Sequence, residues 1–117
     1  MQQSEFPVAQ LKAELFKALG HPIRVQVLEQ LSVGERSVAA LVEALDTEVS
    51  NLSQHLAVLR KAGVVVTRRE GNTIYYSLRD RDMAEILAVA RRMIIADLRN
   101  AQALLDGLSA DAVSDRR

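Results

Sequence analysis

A chain of 117 residues, 49% of them hydrophobic, can bury one modest core, so it reads as a single domain. Its formal net charge of zero neither points to nucleic acid nor excludes it, while the lack of cysteine excludes disulfides, thiolate metal sites and thiol redox sensing. No run is long and apolar enough to span a bilayer, and the N-terminus, with Glu5 and Pro7, lacks the basic start and apolar stretch of an export signal, which predicts a cytoplasmic protein with no membrane partner.

Residues 1–7 read as a flexible N-terminus. Val8, Leu11, Leu15 and Leu19, with Phe16 beside them, recur at helical spacing and predict a first helix over 8–19, ended by Gly20. Pro22 suits the first position of a second helix, whose inward residues are Ile23, Val27, Leu28 and Leu31 and which Gly34 breaks. Ser37 caps a third helix built on Val38, Leu41, Val42 and Leu45.

The fourth helix is the informative one. Val49, Leu52, Leu56 and Leu59 form an apolar stripe predicted to pack inward. The other face carries Ser50, Asn51, Ser53 and Gln54, with His55 at its margin: short side chains that both donate and accept, the kind that reads base edges. Its start is ambiguous, since Asp46 and Thr47 are good caps while Glu48 is only a partner for the helix dipole. Arg60 and Lys61 close the helix and Gly63 supplies a left-handed stop. Two β-rich runs follow, Val64 to Glu70 and Thr73 to Leu78, joined by Gly71-Asn72 in a hairpin. The order is that of a mainly α fold with a β-hairpin wing (α+β), a winged helix-turn-helix. Charge follows it: residues 1–49 hold four basic and seven acidic side chains, residues 50–82 six basic and three acidic, so the positive excess coincides with the reading helix and the wing.

Asp80 or Asp82 caps a fifth helix over 82–108 with Met83, Ile86, Leu87, Ala90, Met93, Ile94, Leu98, Ala101, Leu105 and Leu108 along it. Roughly 25 residues at ~1.5 Å each make a rod of nearly 40 Å, longer than so small a domain can cover. A two-fold dimer of the first and last helices would cover both stripes, with Leu11, Leu15, Met83, Leu87, Ala90, Ile94, Leu98 and Leu105 at the interface. The winged domain then spans 8–108, and 109–117 reads as a disordered tail.

From Leu15 to about Ile94 the chain resembles the ArsR/SmtB family of winged-helix bacterial transcriptional repressors. Four blocks in order carry the resemblance: Ala18-Leu19-Gly20-His21-Pro22-Ile23-Arg24 with Val27-Leu28; Gly34-Glu35-Arg36-Ser37-Val38; Ser53-Gln54-His55-Leu56 with Leu59-Arg60 and Ala62-Gly63; and Arg69-Glu70-Gly71-Asn72 with Tyr75-Tyr76-Ser77-Leu78. It implies a homodimer that binds a palindromic operator in double-stranded DNA and leaves it when a small effector arrives. It also implies wing-tip contacts to the DNA backbone or minor groove through Arg69, Asn72 and Thr73.

The chain departs from the family's sensing patterns. Ser37 stands where metal sensors of one type use cysteine, and Glu29 where persulfide sensors do. Asp80 and Asp82 match half of the last-helix metal site, but its other half falls near Met93 and Ala96, which are no ligands. Helix capping is the favoured reading of the two aspartates, and neither metal nor cofactor is expected.

Arg68 and Arg69 alternate across the first wing strand, so one can face DNA and the other the domain. His55 is expected to bond a phosphate or nearby backbone, and His21 to cap or pack at a helix start. Arg24 fits an ion pair better than a phosphate contact, and neither Tyr75 nor Tyr76 is assigned to DNA. With the histidines in different elements and no cysteine, no nucleophile-base pair exists and an enzyme is not expected. The alternative function is a winged-helix protein-interaction module without specific DNA binding.

Overall fold

Helix starts and stops fall where local chemistry sets them. The computed structural model describes residues 7–115, with side chains described to residue 110; Met1 to Phe6 and Arg116 and Arg117, and with them most of the expected flexible N-terminus and the end of the expected tail, lie outside the described residues. The order is α1 (Val8–Leu19), α2 (Pro22–Val33), β1 (Arg36–Ser37), α3 (Val38–Leu45), α4 (Val49–Lys61), β2 (Val65–Glu70), β3 (Thr73–Leu78) and α5 (Asp82–Asp115). Pro22 opens α2 behind His21, whose Nδ1 accepts the Ile23 N–H at 3.1 Å. Ser37 Oγ accepts the Ala40 N–H at the head of α3. Asp46, with φ of 49°, closes α3 rather than opening α4, and Glu48 is the N-cap of α4 with no side-chain bond.

After Lys61 the Gly63 N–H bonds Arg60 O and the Val64 N–H bonds Leu59 O, both at 3.0 Å, a Schellman stop that needs the left-handed φ of 75° at Gly63. At the wing tip Gly71 has φ of 63° and Asn72 does not share the positive sign, the pattern of a II′ hairpin. The sheet has three strands in the order β1-β3-β2, all antiparallel. The two-residue β1 was not anticipated, because Arg36 and Ser37 are too few to show alternation; their pairing with Tyr76 and Tyr75 anchors the wing's inner strand to the helical body.

Through Ala84 the chain forms one compact unit. Its core is Ala18 of α1, Val27, Leu28 and Leu31 of α2, Leu41 of α3, Leu52, Leu56 and Leu59 of α4, and Val64, Val65 and Leu78 of the wing base, all buried. Val49 is a correction: expected in the inward stripe, it is 56% exposed, because the packed stripe of α4 begins one turn later, at Leu52. On α1, Leu11 is 53% exposed, with Val8 and Phe16 similarly bare and Leu15 half-buried.

From Glu85 onward α5 is a separate unit. The helix runs to Asp115, past the expected end at Leu108, so 109–115 is helical rather than a disordered tail. Ile94, Leu98 and Leu105 are all exposed, Leu98 at 65%, and with Ala90 and Ala101 they make one stripe. Met83 departs from expectation, since it is already buried within its own compact unit.

A small polar cluster joins three helices at the back of α4. Arg24 donates through Nε to Ala18 O at 2.7 Å and through Nη2 to Lys17 O at 3.3 Å, closing the carbonyl end of α1, while Nη1 lies 3.2 Å from His55 Nδ1. Arg24 thus enters no ion pair among the described residues and spends its guanidinium on the end of α1 and on His55. A guanidinium can only donate, so His55 Nδ1 accepts and the ring is neutral with its proton on Nε2. The His21 ring lies against it, centroids 4.1 Å apart. Burial first, then electrostatic interaction with His21 and Arg24, hold the His55 pKa below its ordinary 6.5.

Two outcomes follow from this packing. Leu28→Ala, at a fully buried site, should cost about 2–5 kcal/mol of unfolding free energy, read by urea denaturation. The depressed His55 pKa means the unfolded chain binds the proton more readily, so the stabilisation is complete above about pH 6.5 and is lost as pH falls through the folded-state value. The melting temperature of wild type should therefore drop more between about pH 7.5 and 5.5 than that of His55→Gln; parallel profiles would show that His55 does not titrate with folding.

Candidate nucleic-acid interface

At about 100° per residue, the three buried leucines of α4 leave the opposite side of the helix centred on Ser50, Gln54, Ala57 and Lys61, all exposed. Val49, Ser53 and Arg60 fall on one flank, and Asn51 and Val58 on the other. Asn51 Nδ2 donates to Thr47 Oγ1 at 3.3 Å, which holds its amide over the first turn. The side chains of Ser50, Ser53 and Gln54 have no hydrogen-bond partner among the described residues and are exposed.

The Ser53 flank looks toward the wing. A cleft of about 450 Å³ separates α4 from β3, lined by Ser53, Ala57, Arg60, Lys61 and Tyr76. Two cations, a hydroxyl and a phenol in one cleft are suited to an anion. Tyr76 is the residue sequence reading missed, and only its pairing with Arg36, which no local pattern reveals, sets it against α4.

The two wing arginines have different fates. Arg68 Nη2 and Nε meet the two carboxylate oxygens of Glu35 at 2.7 and 3.1 Å, Nη1 meets Glu70 at 3.0 Å, and the guanidinium lies 4.6 Å from the centre of the Tyr75 ring. These bonds raise the Arg68 pKa further above its ordinary value and lower that of Glu35. Expected at the DNA, Arg68 is instead a latch between the wing and the loop before β1. Arg69, one residue on and on the other strand face, is exposed and enters no ion pair among the described residues. Asn72 and Thr73 stand exposed at the tip.

His55, also expected to touch DNA, has its Nδ1 committed to Arg24 and serves to hold α4. Asp80 Oδ1 accepts the Asp82 N–H at 2.9 Å, which is the capping role, and among the described residues no three His, Cys, Asp or Glu side chains gather to hold a metal ion.

Residues 21–67 match the family model described as bacterial regulatory protein, arsR family. The uncharacterized HTH-type transcriptional regulator Rv0081 of Mycobacterium tuberculosis is 49% identical over 105 residues, 89% of this chain and 92% of that one. Its crystal structure superposes with a TM-score of 0.74 at 48% identity, covering 82% of this chain and 97% of that one. The homodimeric winged helix-turn-helix DNA-binding domain of Mycobacterium bovis Mb0332, solved by NMR, has a TM-score of 0.69 at 33% identity, covering 83% and 90%. The transcriptional repressor SmtB of M. tuberculosis is 40% identical over 74 residues, 63% of this chain and 55% of that one. These relatives are named as transcriptional regulators, not as enzymes. The chain belongs to the arsR family of bacterial regulatory proteins and is a winged helix-turn-helix transcriptional regulator.

Proposed function

We propose that this chain is a cytoplasmic repressor that binds a palindromic operator as a homodimer and answers to an effector that does not use thiolate chemistry. The observation that carries it is the outer side of α4, where Ser50, Ser53 and Gln54 keep their hydrogen-bonding groups free beside a basic cleft. In the complex α4 lies in the major groove with Gln54, Ser50 and Asn51 reading base edges. The phosphate backbone passes between α4 and the wing, met by Arg60, Lys61, Ser53 and Tyr76, and the tip residues Arg69, Asn72 and Thr73 touch the backbone beyond.

A second copy of the chain covers the bare stripes, with Leu11 and Leu15 of α1 and Ala90, Ile94, Leu98 and Leu105 of α5 at the interface. The SmtB relative is a repressor and the Mb0332 domain a homodimer, and both support the reading. The effector is bounded by inventory, since a chain without cysteine offers no thiolate to a soft ion and no persulfide chemistry. Asp80 and Asp82 supply two carboxylates per chain, short of the four donors zinc takes unless the dimer axis brings two pairs together.

Three measurements test this. Gln54→Ala should lose on the order of 1–3 kcal/mol on an operator selected from random duplex and almost nothing on random duplex itself; equal losses would remove Gln54 from base reading. In a plot of log affinity against log salt, Arg60→Ala and Arg69→Ala should each lower the slope by about 0.9, whereas Arg68→Ala, whose charge two carboxylates already balance, should not. No measurable affinity for any duplex at low salt would instead favour a protein-interaction module. Micromolar zinc should leave the operator complex intact; release that disappears in Asp80→Ala/Asp82→Ala would establish a metal sensor.

A further inference from the structure

Val49 is the one residue of the α4 stripe that does not do what its spacing foretells. It occupies the first turn, its side chain is 56% exposed, and the buried residues of the helix are Leu52, Leu56 and Leu59 only. A β-branched side chain gains little at an exposed helix position, where it loses rotamer freedom and leaves more than half of its surface in water. It is not part of an apolar docking face either, since the residues that share its flank, Ser53 and Arg60, are exposed and polar. It stands alone on the flank that also carries Ser53 and Arg60, toward the wing.

The first turn of a reading helix is the part that approaches base edges. Those edges present hydrogen-bonding groups throughout, with a single apolar group among them, the 5-methyl of thymine. An isolated apolar side chain on that turn has that one complement in the groove. Resting on the DNA-binding reading above, we propose that Val49 reads a thymine methyl and makes the operator specific for thymine at one position of each half-site. The contact removes an aliphatic surface and a methyl from water together and is indifferent to ionic strength, so it adds specificity without adding charge.

The test needs a change confined to that methyl. An operator is selected from a randomised duplex pool with the full-length chain, and each thymine is then replaced singly by deoxyuridine. At one position per half-site, wild type should lose about three- to tenfold in affinity, roughly the effect of one buried methyl. Val49→Ala should show the same loss on the thymine operator and no further loss on the deoxyuridine operator, while random duplex and the melting temperature stay unchanged because Val49 supports no core packing. If the operator binds well but no deoxyuridine effect vanishes in Val49→Ala, the methyl contact is refuted while the repressor reading stands. If no duplex is bound or enriched, both fall.

Discussion

Everything the protein can present to a groove depends on how few contacts hold α4 in place. A helix meant to offer one whole side to another molecule has only the other side for attachment, and here that side is three leucines, Leu52, Leu56 and Leu59. A stripe of leucines fixes how far the helix lies from the core but resists rolling poorly, since dispersion contacts are non-directional. The directional element is the Arg24 guanidinium, which ends α1 on two carbonyls and reaches His55 at the edge of the leucine stripe. One side chain therefore couples the end of the first helix, the start of the second and the roll of the fourth. Because the bond to His55 requires a neutral ring, the same contact makes the fit sensitive to acid.

The wing answers a similar constraint with charge. A two-stranded ribbon is marginal alone, and this one gains from the third strand and from Arg68, which clamps Glu35 and Glu70 and covers Tyr75. The clamp uses up one of the basic residues that gives this half of the chain its positive excess. Such exposed pairs contribute little stability each, so their value here is geometric, in keeping Arg69 and the tip at a fixed height above the cleft.

Much of this was legible in the residues. Periodicity located all five helices and the hairpin, and Gly63, Gly71, Ser37 and Pro22 marked boundaries for reasons of local conformation that operate before any packing. What was not legible depends on distant residues. A repeat of 3.6 gives an angle around a helix and not a depth, so Val49 shares a bearing with buried leucines yet lies beyond the edge of the core. The alternation of Arg68 and Arg69 showed that they face opposite ways, but only Glu35, 33 residues earlier in the chain, decided which was committed. Met83 carried the pattern of an interface and is buried within its own compact unit. Tyr76 and β1 became visible together, since a two-residue strand exists only through its partner.

In the proposed complex the neutral charge of the chain makes dimerisation part of recognition. Each proposed half-site is met by few free cations, chiefly Arg60, Lys61 and Arg69, and a handful of phosphate contacts gives weak, salt-sensitive binding. Joining two such modules makes the second engagement intramolecular, so the affinity of the pair exceeds either alone only if the spacing of the two α4 helices matches one DNA turn, about 34 Å. With little general attraction to fall back on, a small change in that spacing costs this protein more of its total affinity than it would cost a strongly basic one. In the proposed dimer the bare stripes of α1 and α5 would set that spacing, and an effector acting there would release the operator without touching the reading helix.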